Sequence, residues 1–244
     1  MTVRSLFVWD FDNTVVLDNT DTLVFQILAP EVLARQRAII CKSAGPHLWT
    51  TIISNGLMSL FELGKTPEEI LSAAAEAFFP VETAAVLRRI ASTPTARSVV
   101  LSDANTLFIH ACLKKADLPH DQVFEGGIFT NPATVEEPGF ISLRPFIDPN
   151  DPEKQHKCNR CPANLCKGEV LQRIIRDEYD SWRIVYVGDG GNDHCPVLRM
   201  GSEGVVLARK GFPLHRKVLE RPPLAEVRLW DSPVELKGLI HDLL

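Results

Sequence analysis

The apolar run Leu6-Phe7-Val8-Trp9 passes at once into Asp10-Phe11-Asp12, and this junction constrains the fold more than any other stretch. Four consecutive apolar residues leave no polar face, so they predict a strand buried on both sides, as in a parallel sheet, and are too few for a helix. In open α/β sheets the carboxyl ends of the strands face the ligand crevice, which places Asp10 there and Asp12 one step into the following loop. A bare Asp-x-Asp turn more often only ends a strand. Its meaning therefore depends on what later strand ends bring beside it.

After Thr14 come two further acids, Asp18 and Asp21, which on their own would solvate or cap a helix start. From about residue 22 to residue 95 the signals are helical. Thr66-Pro67-Glu68-Glu69 combines an N-cap, a proline at the first helical position and a capping glutamate, and predicts a helix to about residue 78. A second helix is expected over residues 81–91, between Pro80 and Pro94. Without a clear strand, residues 16–95 read as a helical cap inserted into an α/β core made of residues 1–15 and 96–244. Its aromatics, Trp49, Phe61, Phe78 and Phe79, read as helix-packing residues, one of which could line a pocket.

The sheet resumes at residues 98–103, which end in Ser102 and Asp103, and a helix is expected over residues 105–116. Residues 127–146 read as a β-excursion whose strands, 128–130 and 140–143, flank a Pro/Gly-containing turn. Residues 183–187 form another buried strand, ending in Gly188-Asp189-Gly190-Gly191-Asn192-Asp193. Here glycines allow a tight turn and a close approach to an ion, while Asp189 and Asp193 present carboxylates beside Asp10. A helix over 194–200, a strand over 204–208, a helix over 213–219, an edge strand at Leu229-Trp230 and a helix over 234–243 complete the chain.

Between these elements lies Cys158-x-x-Cys161, with Cys166 five residues on and His156 just before, a set that could hold a zinc ion, although Cys166 could equally pack in a helix. Lys167 opens that helix, which is expected to run to about residue 179. The six cysteines are too unevenly placed for a secreted disulfide scaffold, so reduced thiols are expected. With 26 basic and 31 acidic side chains, a formal charge of −5 and no basic run, the chain is a poor match to nucleic acid. No segment has 18 uninterrupted apolar residues and no signal-type leader is evident, so no membrane partner and a soluble, cytoplasmic protein are expected. Nothing in the pattern reports an oligomeric state.

Taken in order, the strings DFDNTVV, LSDANT, CNRCPANLCK and GDGGNDHCP resemble the motifs of the haloacid dehalogenase-like (HAD) phosphatases. Within them they are similar to the phosphoethanolamine/phosphocholine phosphatases and their pyridoxal-phosphate phosphatase relatives. The resemblance implies a Rossmann-like parallel sheet with an inserted helical cap, Mg²⁺ as cofactor and a small phosphorylated metabolite as partner. It implies that Asp10 is both metal ligand and nucleophile, forming an aspartyl-phosphate. Asp12 offers a backbone carbonyl to the metal and its side chain as acid and base, Asp189 is a further ligand and Asp193 supports the metal shell. Ser102 and Lys167 would hold the transferring oxygens, and Thr14 would fix the loop. Asp21 and Asp103 fall at positions associated with a cationic substrate head, which implies phosphoethanolamine or phosphocholine. Pyridoxal 5′-phosphate or another small phosphometabolite, a phosphate-transferring mutase, and a zinc-dependent interaction module built on the cysteines are the alternatives.

Overall fold

The computed structural model describes residues 3–42 and 49–244, so residues 43–48 of the expected cap lie outside the described residues. In chain order the elements are β1 (Ser5–Trp9), α1 (Thr20–Leu28), α2 (Pro30–Lys42), α3 (Trp49–Glu62), α4 (Pro67–Ala74), α5 (Val81–Ala91) and β2 (Ala96–Asn105). Then follow α6 (Thr106–Lys115), α7 (His120–Val123), β3 (Ile128–Asn131), β4 (Ala133–Glu136), β5 (Phe140–Leu143) and α8 (Lys167–Ile174), which continues as a π-helical turn over Ile175–Tyr179. The chain closes with β6 (Arg183–Gly188), a 3₁₀ turn (Gly191–Asp193), α9 (His194–Val197), β7 (Val205–Arg209), α10 (Pro213–Glu220), β8 (Glu226–Trp230) and α11 (Pro233–His241).

Six strands form one parallel sheet in the order β3-β2-β1-β6-β7-β8. The chain leaves β1 toward one side of the sheet and later returns to its other side, so β1 and β6 flank the point where the strand order reverses, the usual place for a ligand crevice. Both faces of β1 are covered, as its uninterrupted apolar run predicts. Phe7 and Trp9 pack in one cluster with α5 and α11, and Leu6 and Val8 in another with α8 and α10. Trp9 also spends its indole N–H on Ser98 Oγ at 3.2 Å, so the ring is buried without an orphaned donor.

A third cluster gathers Val24, Phe25, Ile53, Leu57, Ile70 and Ala74 from α1, α3 and α4 against Phe108 and the β4–β5 hairpin. By contrast, Ala84, Val86, Leu87 and Ile90 of α5 belong to the cluster of the sheet. The predicted capping box at α4 is present: Glu69 N donates to Thr66 Oγ1 at 3.3 Å, and Thr66 N donates to Glu69 Oε2 at 2.8 Å. That helix stops at Ala74, short of residue 78. The expected β-excursion is corrected too. Ile128–Asn131 joins the main sheet beside β2, and the hairpin partner of Phe140–Leu143 is Ala133–Glu136. Pro132 is the reason: it ends one strand and starts another, so the apolar run that precedes it is free to add to the sheet edge. No helix among the described residues is long and apolar enough to cross a membrane.

Candidate active site

Asp10 follows β1 directly, and its backbone N–H still bonds Val187 O of β6 at 2.9 Å, which fixes its position over the crevice. Its Oδ1 accepts from Phe11 N at 2.8 Å and from Lys167 Nζ at 2.9 Å. Lys167 begins α8 and is buried, and it also donates to Asp193 Oδ1 at 2.7 Å. Burial opposes its charge, but Asp10, Asp193 and Asp103 outweigh that and hold the ammonium well above its ordinary range. One lysine thus bridges two carboxylates from different ends of the sequence.

Asp193 is wholly buried and has four donors. Besides Lys167, its Oδ1 takes the Tyr186 hydroxyl at 2.7 Å, and its Oδ2 takes Gly190 N at 2.8 Å and Asp189 N at 3.2 Å. A carboxylate so occupied aims the loop and the lysine. Glycine at 188 is required by packing alone: a Cβ there would stand 2.6 Å from Asp193 Oδ2. The tight approach expected of these glycines therefore serves the Asp193 side chain. Asp189, also buried, receives Thr14 Oγ1 at 3.3 Å, so Thr14 does tie the two loops together.

Asp10, Asp189 and Asp193 can each direct a carboxylate oxygen within 4.8 Å of the others. Burial, followed by the charges of Asp10 and Asp193, pushes Asp189 up to about 8. Burial and then Asp10 push Asp193 up to about 7, against the pull of Lys167 and Tyr186. Three buried carboxylates facing one ammonium carry an excess of two negative charges when ionised. An oxygen-seeking divalent cation is the group this donor set fits, since it would cancel that excess.

Asp12 does not join that carboxylate group. Asn13 turns the chain with φ of 55°, a left-handed conformation asparagine tolerates, and Asp12 Oδ1 then accepts from Thr20 N at 3.1 Å and Thr20 Oγ1 at 2.8 Å. Burial, then the charge of Asp21, raises its carboxyl well above the usual range in spite of these bonds. Of the two extra acids, Asp18 has a structural task, accepting Phe78 N at 2.8 Å. Asp21 is buried in the first turn of α1. Trp49 Nε1 donates to its Oδ2 at 2.8 Å, its Oδ1 has no hydrogen-bond partner among the described residues, and burial pushes its carboxyl up to about 7.

Trp9 pairs with Val100 across the sheet, so Asp10 follows the former by one residue and buried Ser102 follows the latter by two. Ser102 Oγ accepts Ala104 N at 3.3 Å. Asp103 is half-buried and lines a cavity of about 110 Å³ together with Trp49, Arg160, Lys167, Asn192 and Lys217. Burial raises its carboxyl as well, with Lys167 pulling the other way. The sequence-predicted residues therefore form two groups, the Asp10–Lys167–Asp193 contacts and a set in which Asp103 and Trp49 line the cavity with Lys167 while Asp21 bonds Trp49. Tyr186 and Thr20 went unpredicted. A tyrosine hydroxyl within the apolar strand Ile184-Val185-Tyr186-Val187 must find a partner when buried, and that was the available signal.

The comparisons agree with this geometry. The family model described as "Putative Phosphatase" matches residues 5–244. The pyridoxal phosphate phosphatase of Mus musculus is 32% identical over 96% of each chain. The phosphoethanolamine/phosphocholine phosphatase of Homo sapiens is 31% identical over 99% of this chain and 90% of its own. Among solved structures, a substrate-bound phosphoserine phosphatase superposes with a TM-score of 0.60 at 16% identity, covering 98% of this chain and 99% of its own, which speaks for the fold. The chain belongs to this phosphatase family, within the HAD-like superfamily, and is a phosphoric monoester hydrolase.

Proposed function

We propose that the protein hydrolyses a small phosphomonoester with a cationic head, phosphoethanolamine or phosphocholine, through an aspartyl-phosphate on Asp10. The observation that carries the substrate class is the acidic set around the cavity: Asp103 lines it, and so does Trp49, whose indole N–H is bonded to Asp21. None of the three is needed for phosphoryl transfer. An aromatic ring with a carboxylate at its N–H edge and a second carboxylate in the same cavity lining suits an ammonium group, and each contact of this kind contributes about 1 kcal/mol or more once desolvated. The cavity is also well below the roughly 300 Å³ at which drug-sized pockets begin, which favours a small alcohol.

In this reading Mg²⁺ would be held by Asp10, Asp189 and the Asp12 backbone carbonyl with Asp193 in support, and would supply charge neutralisation for the phosphate dianion. Asp10 attacks phosphorus, the bond to the alkoxide breaks, and Asp12 gives that alkoxide its proton. Burial raises its carboxyl above the usual carboxylate range, which favours the protonated form this step needs. Water then attacks the aspartyl-phosphate, Asp12 takes the water proton back, and inorganic phosphate leaves. Lys167 and Ser102 donate to the transferring oxygens, where charge builds up. Helices α1 to α4 act as the cap within residues 16–95, with α5 supporting the core of residues 1–15 and 96–244.

Pyridoxal 5′-phosphate is the second reading, supported by the name of the 32% identical relative and by Trp49 as a flat wall. Phosphate release with Mg²⁺ from phosphoethanolamine, phosphocholine, pyridoxal 5′-phosphate and glycerol phosphate separates the two. Asp103→Asn should lower kcat/KM at least about tenfold on the ammonium substrates, the equivalent of a lost charged contact, and leave glycerol phosphate nearly unchanged. Equal losses on all four would refute the ammonium assignment.

A further inference from the structure

We propose that Cys158, Cys161, Cys166 and Cys195 form a closed site for one zinc ion beside the catalytic crevice. The four sulfurs all lie within 4.8 Å of one another, and Cys195 Sγ is 3.7 Å from both Cys158 Sγ and Cys166 Sγ. Four thiolates at about 2.3 Å from a tetrahedral zinc stand about 3.8 Å apart along each edge, so the sulfurs already occupy near-ligating positions. They are not disulfide partners, for which sulfur atoms meet at about 2.05 Å. A multi-iron cluster would need inorganic sulfide and iron between the thiolates and would spread them further.

The fourth ligand is not the histidine that the sequence offered. His156 Nε2 is 2.9 Å from Pro162 O, whereas Cys195, 29 residues beyond Cys166, is folded back onto the cluster by α9. Two further observations mark a built site. A Cβ at Gly168 would meet Cys195 Sγ at 2.7 Å and Arg199 Nε at 2.8 Å, so glycine keeps this space open. The Arg199 guanidinium reaches the same space and is bonded to Glu169 at 3.0 Å, which holds a cationic group at the edge of the four sulfurs.

Four thiolates leave no open position, so the ion is structural and binds no substrate. Its placement explains what it organises. Cys166 directly precedes Lys167, Cys195 follows Asp193 by two residues, and Cys161 lines the cavity with Arg160. The ion therefore joins the two segments whose side chains meet in the 2.7 Å Lys167–Asp193 pair. Asn164, within the same loop, donates to Asn131 Oδ1 at 2.9 Å and Thr50 Oγ1 at 3.0 Å, and Asn131 in turn donates to Asp103 O at 2.6 Å. The cysteine loop is thus anchored to the sheet and to α3 as well.

The test is independent of the phosphatase reading. The protein from zinc-supplemented cells is treated with EDTA sufficient to remove Mg²⁺, desalted and analysed for metals, and is then titrated with a mercurial while released zinc is followed with a chromogenic chelator. About one zinc per chain is expected, released as the mercurial caps the four cysteine ligands. Cys161→Ser, checked for folding by circular dichroism, should lose its zinc to EDTA that leaves the wild type loaded. Cadmium loading should give a sulfur-to-metal charge-transfer band that weakens in the variant. Zinc below about a tenth per chain, iron in its place, or a folded Cys161→Ser that keeps zinc as the wild type does would each overturn the proposal.

Discussion

Two groups of ligand atoms stand a few residues apart, and they differ in every property that decides what an ion does there. Asp10, Asp189 and Asp193 offer hard oxygens, one lysine already competes for two of them, and a cavity opens beside Lys167. Cys158, Cys161, Cys166 and Cys195 offer soft sulfurs that satisfy a tetrahedron without help. Oxygen ligands suit Mg²⁺, which keeps waters and exchanges; four thiolates suit zinc, which stays. The contrast teaches that adjacency in the chain does not merge the two. Lys167–Asp193 lies on the border, placed by the sulfur side and used by the oxygen side.

The largest expected effect breaks one side alone. Asp10→Asn should lower kcat by at least about 10⁴-fold, as loss of a nucleophile does, while the zinc content of the protein is unchanged. Steady-state phosphate release alongside metal analysis checks both halves. Next, Asp12→Asn should cost about 10²–10⁴-fold in kcat. Because burial raises the Asp12 pKa, the donor is charged with its proton at low pH and lost as pH rises through that value. The alkaline fall of the wild-type kcat profile should therefore be absent from the variant.

Tyr186→Phe should be milder. It removes one of the four donors of Asp193 and should destabilise the fold by about 1.5–3 kcal/mol, read by urea denaturation. The smallest effect concerns pH and the metal. Asp189 and Asp193 have raised folded values of about 8 and about 7, so between the ordinary carboxylate range and those values the folded protein binds more protons than the unfolded chain. Metal-free stability must then fall as pH rises from about 4 to about 8. Mg²⁺ should raise Tm more at pH 8 than at pH 6, a shift of a few degrees by thermal denaturation.

Strand ends were legible in the sequence because each unites an apolar run with a polar stop: Asp10 follows β1 and Asp189 follows β6 directly, whereas β2 runs two residues past Asp103, to Asn105. Lys167 was legible as the opening of a helix. Contacts that depend on chain closure were not. Tyr186 looked like one more apolar strand residue, and nothing local showed that Asp193 needs its hydroxyl. Cys195 stood apart from the other cysteines, so His156, a sequence neighbour, took its place in the expected ligand set. At Pro132 the same kind of error arose, since alternation identifies a strand without naming its partner. In each case the local pattern was read correctly and the distant neighbour was missing.

The central claim is that Asp10 carries the phosphoryl group. The most direct measurement uses Asp12→Asn with p-nitrophenyl phosphate and Mg²⁺, a substrate whose leaving group needs no proton, so that the first step proceeds and the second stalls. Acid quench and peptide mapping should then find one hydroxylamine-labile phosphoryl group on the peptide containing Asp10. Continued turnover with no labelled peptide, or a label on another residue, would contradict the account.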